Sequence, residues 1–289
     1  MTPASFQGDL TPGGIATLAC LLEVSAPKPG NVHRGADFAD TSFYDFQTSA
    51  VILGQTIDRC LDRPIGEMIL ECVRANQRHV GKNTNLGMVL LLCPLAKSIR
   101  FDDSNSCRLD QELTGRALSE LDRQDCSDVY QAIGLAAPGG LGKSETMDVA
   151  QAAPECLIGA MRASEDRDWV ARQYSRNFET IFDHVIPMIV ESQKTINTHE
   201  AIVVAHVQTM AKFADSLIAR KCGEPTALRS QQLAQKCLEQ LDSKPDFWAA
   251  VRELDFWLRS DGNRRNPGTT ADLIAAALFT LIANGKLKQ

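Results

Sequence analysis

Three observations predict an all-α chain. Apolar residues recur at the three-and-four spacing of helices along most of the 289 residues. Alternating Val-, Ile- and Tyr-rich runs are almost missing, and aromatic residues make up only 6% of the sequence, which argues against strands.

The elements follow in order. Ile15, Leu18, Leu22 and Ser25 sit at helical spacing within residues 12–25, with Ala19 beside them and Pro12 near the first turn. Pro27 and Pro29 flank Lys28 and stop that helix, because proline lacks an N–H and drives its predecessor out of the α region. Gly30 permits the turn that follows. Thr41 or Ser42 caps a second helix through Phe43, Phe46, Ala50, Leu53 and Ile57. A third runs from Pro64 through Met68, Leu70 and Val73 to a stop at Val80 and Gly81. A very apolar helix covers Leu86 to Ala96, with a kink or early end expected at Pro94. Residues 100–109 read as a surface connection, about 110–121 and 126–136 as helices, and 137–144 as a glycine-dense loop. Helical spacing resumes at Pro154. Phe178, Ile181, Phe182, Val185 and Ile189 make one face, and Ile202, Ala205, Val207, Met210, Phe213 and Leu217 another. Asp272 to Asn284 is the last helix, with Gly285 as its stop. There is no repeat of solenoid period, so one globular domain over residues 1–289 is expected.

Composition narrows the function classes. A chain that is 44% hydrophobic and 23% charged can bury a sizeable core. A net charge of −6 offers no global basic field for nucleic acid or anionic lipid. The nine cysteines are scattered, with no C-x-x-C pair, which argues for reduced thiols in a cytosol rather than a disulfide frame or zinc site. No signal-like segment opens the sequence, and its best apolar run, Met88 to Ala96, is far short of the roughly 20 residues of a membrane span. A cytoplasmic location is expected.

Several polar loops carry candidate chemistry. Residues 23–40 hold Lys28, Asn31, His33, Arg34, Asp37 and Asp40 in a rigid turn, which suits phosphates and a divalent cation. Lys82, Asn83, Thr84 and Asn85 open a helix whose free N–H groups favour an anion. Gly139, Gly140 and Gly142 precede Lys143 and Ser144 like the tail of a P-loop. Ala137 stands where the leading glycine belongs, however, and no strand precedes it, leaving a glycine-lined nest for a phosphate or ribose. Asp215 to Gly223 reads as a helix end, with a carboxylate five residues before Arg220. His199 and His206, seven apart, are too widely spaced for a two-histidine metal clamp. Asn266 to Asp272 reads as a capping-box-like helix start, Thr269 with Asp272. Taken singly, each loop also reads as an ordinary capped or solvated turn. No Ser-His-Asp or Cys-His pairing follows from spacing.

Taken together and in this order, Pro27-Lys28-Pro29-Gly30-Asn31-Val32, Asn83-Thr84-Asn85-Leu86-Gly87, Asp215 to Gly223 and Asn266 to Leu273 resemble the triphosphoribosyl-dephospho-CoA synthase family over about residues 15–284. The resemblance implies an all-helical transferase that joins ATP to 3′-dephospho-CoA through a ribosyl bond, expels adenine and makes a prosthetic-group precursor. An acceptor ribose hydroxyl attacks C1′ of the ATP ribose through an oxocarbenium-like transition state. Such a step needs a base, a negative group near the sugar, and cations on the triphosphate. The resemblance makes Asp37, Asp40 and Asp215 candidates for base, sugar stabiliser or Mg²⁺ ligand. Lys28, Arg34, Lys82, Arg220 and Lys221 are candidates for the phosphates. Gly139, Gly140, Gly142, Gly268, Thr269 and Thr270 would add backbone or hydroxyl donors. Gly30, Asn31, His33, Asn83, Thr84, Asn85 and Asn266 complete the expected nucleotide site.

Two stretches depart from the family pattern. Gly35-Ala36-Asp37-Phe38-Ala39-Asp40 stands where the family carries Gly-Ala-His-x-Asp-Met, and Asn83-Thr84-Asn85-Leu86-Gly87 replaces Asn-Thr-His-Lys-Gly. The chain is therefore similar to a divergent branch, found in archaea and in bacteria that use pterin C1 carriers. Two alternatives stay open: an acceptor from methanopterin-type C1 cofactor synthesis, and a nucleotide-binding helical protein without catalysis. No nucleic-acid or membrane partner is expected, and a homodimer is left open.

Overall fold

The most apolar of the described helices is also the last of them. In a computed structural model, which describes residues 10–101, 107–136 and 154–288, Gly268–Ala283 buries every residue except Gly268 and Asp272. A helix that is apolar all round belongs inside a protein, with others wrapped about it. Among the described residues the preceding helices are α1 Pro12–Ser25, α2 Phe43–Cys60, α3 Ile65–His79, α4 Leu86–Ser98, α5 Gln111–Ser119, α6 Arg123–Ala136, α7 Leu157–Ser164 and α8 Trp169–Ser175. A π-helical turn, Ile181–Val185, leads into α9 Ile186–Ser192. Then come α10 Thr198–Lys212, α11 Ser216–Cys222, α12 Glu224–Leu238, α13 Lys244–Arg259 and the central α14 Gly268–Ala283. The one described sheet pairs Arg100–Phe101 antiparallel with Cys107–Arg108, so the fold is all-α.

α14 packs on α1, α4 and α10, and one cluster of buried residues runs from Ile15 to Leu287. α1 crosses α2 where each has a glycine. A Cβ added at Gly54 would lie 2.0 Å from Thr17 Oγ1 and 2.3 Å from the Gly13 carbonyl. No single helix among the described residues is long and apolar enough to cross a membrane. α10 and α11 pass that test only as a pair bent by 59°, and α10 is a core helix.

The structure departs from expectation at four places, each for a local physical reason. α4 does not end early at Pro94 but runs on to Ser98. Proline removes the N–H that would bond the Leu90 carbonyl, and the Tyr174 hydroxyl donates to that carbonyl instead, at 2.6 Å. The face spanning Phe213 and Leu217 is broken. Phe213 is extended at φ −126°, Trp169 Nε1 donates to the Ala214 carbonyl at 2.9 Å, and Asp215 starts a new helix. Phe178 sits in the left-handed region with Asn177, at φ 58° and 52°, so the chain reverses there and the apolar face is resumed by the π-turn. The last helix begins four residues early, at Gly268, with no side-chain cap from Thr269. Gly81 (φ 72°) and Gly285 (φ 62°) are left-handed stops, as the sequence predicts.

The glycine crossing yields a stability test. Gly54→Ala forces α1 and α2 apart and is expected to destabilise by about 1–3 kcal/mol, a fall in Tm of several degrees in thermal denaturation. Gly134→Ala in α6, where an added Cβ meets nothing within 4 Å, should leave Tm unchanged or raise it.

Candidate functional site

Lys28 is fully buried. Its ammonium lies 2.9 Å from Glu23 Oε1, donates to the Glu23 carbonyl, and donates to the Ala26 carbonyl at 3.3 Å. It thus caps the C-terminus of the preceding helix, α1, where unpaired carbonyls and the negative dipole end favour a cation. Burial pushes the Glu23 carboxyl above its ordinary 4.5, with the Lys28 charge and hydrogen bond opposing.

The rest of the loop is fastened to α13 and the start of α14. Gly30, at φ 77°, donates its N–H to Asp255 Oδ1 at 2.7 Å. A Cβ there would lie 2.8 Å from both Leu258 and Pro267, so only glycine fits. Asp255 also holds Arg259 at 2.8 Å, and Arg259 donates to the Asn31 carbonyl. Asn31 Nδ2 donates to Asn266 Oδ1 at 2.6 Å.

Asp215 ties two helix starts together. Its Oδ1 accepts from the N–H groups of Leu217 and Ile218 at 2.9 and 3.0 Å. Its Oδ2 accepts from the Thr270 N–H and hydroxyl, both at 2.8 Å. Ser216 Oγ donates to Thr269 Oγ1 at 3.1 Å and accepts from the Trp169 N–H at 3.2 Å. Asp168 caps α8 through Oδ1, 2.8 Å from the Val170 N–H, and holds Arg220 Nη1 at 2.7 Å with Oδ2. At the start of α4, Asn83 Oδ1 accepts from the Leu86 N–H at 3.2 Å, and Asn76 Nδ2 donates to the Lys82 carbonyl at 2.8 Å.

These segments surround a cleft of about 630 Å³. Of the expected site residues, Asn31, Asp40, Asn83, Thr84, Asn85, Arg220, Lys221, Asn266, Gly268 and Thr269 line it. Its other wall is apolar, with Leu90, Tyr130, Ile133, Met161 and Val170. Lys28, Gly30, Asp215 and Thr270 do not line it, and their polar groups are bonded within the protein. His33, Arg34, Asp37 and Lys82 lie off the cleft wall. Gly35 donates to His33 Nδ1 at 3.2 Å, Asp37 accepts from the Phe43 N–H at 2.6 Å, Lys82 pairs with Asp45 at 3.0 Å, and Arg34 is exposed. Burial, and next the Arg259 charge, hold the His33 imidazole below its usual value. Gly139, Gly140 and Gly142 lie outside the described residues. Of the three carboxylates expected at a metal, Asp37, Asp40 and Asp215, only Asp40 reaches the cleft. Among the described residues no three His, Cys, Asp or Glu side chains converge as a metal cluster.

Polar residues that the sequence reading missed also face the cleft: Glu23, Arg167, Asp168, Asn263 and Asp272. Asp272 had a visible signal, as the only charged residue in the stretch Gly268–Ala283. Its carboxylate seats against Gly87, where an added Cβ would lie 1.9 Å from Oδ2. Burial, and then Glu23, Asp215 and Asp168, hold its carboxyl well above the ordinary range.

The sequence model for ATP:dephospho-CoA triphosphoribosyl transferase matches residues 10–288. Among solved structures, an Archaeoglobus fulgidus protein provisionally assigned as a triphosphoribosyl-dephospho-CoA synthase superposes with a TM-score of 0.62 at 23% identity. The match covers 82% of this chain and 98% of that one, and shows a shared fold. No curated protein matches.

The buried ion pair at the loop generates a test. Lys28→Met leaves Glu23 charged and unpaired, a loss of about 3–5 kcal/mol at neutral pH. A carboxyl raised in the folded state binds more protons there than when unfolded, so its penalty grows as pH rises. Denaturant titration of K28M should show the deficit shrinking as pH falls toward 4.5, because the buried Glu23 carboxyl takes up its proton above that value.

Proposed function

The chain belongs to the ATP:dephospho-CoA triphosphoribosyl transferase family, and we propose that the cleft between α4, α8, α11 and α14 is where the triphosphoribosyl group leaves ATP for the acceptor. The family reaction carries that group to dephospho-CoA and frees adenine. The observation that carries the reading is convergence: loops separated by up to 235 residues are hydrogen-bonded around one two-faced cavity.

Each face suits one part of the nucleotide. Arg220, Lys221 and the N-terminal end of α14 suit the triphosphate, with Asn83, Asn85 and Asn266 as neutral donors. Asp168 fixes the Arg220 guanidinium by a charge-assisted bond, so its remaining donors need little ordering on binding. The wall of Leu90, Tyr130, Ile133 and Met161 suits a purine face, and the volume matches that of a small-molecule site.

A magnesium ion fits the donor set. Asp40 faces the cleft with Oδ1 held by Asn263 and Thr41, leaving Oδ2 without a hydrogen-bond partner among the described residues. Mg²⁺ is commonly held by one or two carboxylates plus substrate phosphates, and Asp40 would provide the former. Bound there, it would neutralise charge on the triphosphate. We place the reaction in a reducing cytosol, a setting supported by nine cysteines with no disulfide among the described residues.

Incubation with ATP, Mg²⁺ and dephospho-CoA should yield adenine and a triphosphoribosylated product in equal amounts by chromatography and mass analysis. Formation of ADP or inorganic phosphate instead would overturn the reading. Arg220→Ala should raise the KM for ATP about 10- to 100-fold, the range for one charged hydrogen bond, whereas Arg116→Ala, on an exposed surface pair, should leave it unchanged.

A further inference from the structure

Asp272 is the only charged residue of α14, whose other side chains are apolar apart from three threonines. A carboxylate set among apolar residues is costly unless it is paired or serves a purpose. The other deep carboxylates around it are answered. Glu23 pairs with Lys28, Asp168 pairs with Arg220, and Asp215 accepts four hydrogen bonds as a double cap. Asp272 has no hydrogen bond or ion pair among the described residues, and it faces the cleft.

Its placement is built rather than incidental. Gly87, in the first turn of α4, leaves the space into which the carboxylate fits, since a Cβ there would overlap Oδ2 at 1.9 Å. The charged or titratable groups facing it are Cys20 and Glu23 from α1, Asp168 at the start of α8, and Asp215 and Arg220 at α11. From α4 it meets the bare backbone of Gly87. This acidic surround, with Arg220 opposing it, favours the form of Asp272 that has taken up a proton. It also suits a neighbouring cationic sugar.

We propose that Asp272 is the general base that accepts the proton of the attacking acceptor hydroxyl, an inference that rests on the cleft being the site of ribosyl transfer. In that step the acceptor oxygen bonds to C1′ of the ATP ribose as the C1′–N9 bond breaks. The electron pair of that bond departs with adenine. The hydroxyl proton passes to the Asp272 carboxylate and then, through solvent, to the released adenine. The net change is exchange of one ribosyl bond for another, with no oxidant or reductant. The carboxylates of Glu23 and Asp168 face the same space and oppose the positive charge that develops on the sugar.

The test compares wild type, Asp272→Asn and Asp272→Glu for adenine release across pH, with Mg²⁺–ATP affinity read by calorimetry. D272N should lose about 10²–10⁴-fold in kcat, the range for removing a general base, while binding Mg²⁺–ATP as the wild type does. The wild type should show an acid limb above the ordinary carboxylate range, because the base works only when deprotonated. D272E should recover part of the rate with that limb displaced. Should D272N fail to fold, D272E decides: an acid limb unmoved from wild type overturns the assignment. Near-wild-type kcat in D272N overturns it, and so does lost Mg²⁺–ATP affinity, which would make Asp272 a cation ligand. If the wild type releases no adenine, the reading of the cleft falls and this inference with it; adenine released at a similar rate by wild type and D272N sinks this inference alone.

Discussion

A buried lysine paired with a glutamate at the cleft wall sets the geometry of the cleft. Lys28 lies beyond the end of α1 and reaches back to Glu23 and to the carbonyls of that helix. The pair is too deep to be a surface decoration, and removing either partner would strand the other in a low-dielectric interior. It therefore permits one path for residues 26–32. That path delivers the Gly30 N–H to Asp255 and the Asn31 amide to Asn266, from opposite ends of the sequence. His206, also fully buried, packs behind the same loop, where burial and the Lys28 charge keep its imidazole well below its usual value and so neutral.

The same economy of contacts gathers the other walls. Asp215 uses both oxygens to cap two helices, so the start of α14 cannot drift from the start of α11. Ser216 adds α8 to the group, and Asp168 joins Arg220 to it. The result is a set of carboxylates of one chemical type held in different states by their surroundings. Asp215 is spent on capping, Glu23 and Asp168 on cations, Asp40 stays at the rim, and Asp272 is left facing the cavity. Such divergence of environment is how one site assigns separate chemical tasks to like groups.

Local signals in the sequence carried far, and stopped where distant chain segments took over. Helix periodicity placed α1 to α4 closely, because proline and glycine end helices through their own backbone geometry. The run through Pro94 was illegible, since the hydroxyl that compensates for it belongs to Tyr174, 84 residues away. The start of α14 was misread for the same reason: its cap comes from Asp215, 55 residues upstream, rather than from Thr269. At the site, Asn31, Asn83, Arg220 and Asn266 were visible as polar residues in turns, though only the family resemblance suggested that they meet. Lys28 looked like a phosphate ligand because burial leaves no mark on a lysine in a loop. Asp272 was read as half of a capping box, although its isolation in an apolar helix was already on view.

The central claim is that a triphosphate nucleotide occupies this particular cleft. A crystal structure of the protein soaked with Mg²⁺ and a non-transferable ATP analogue tests it most directly. The account predicts density for the triphosphate against Arg220, Lys221 and the first turn of α14, with the base on the Leu90–Met161 wall. Clear nucleotide density elsewhere on the molecule, with this cavity holding only solvent, would contradict it.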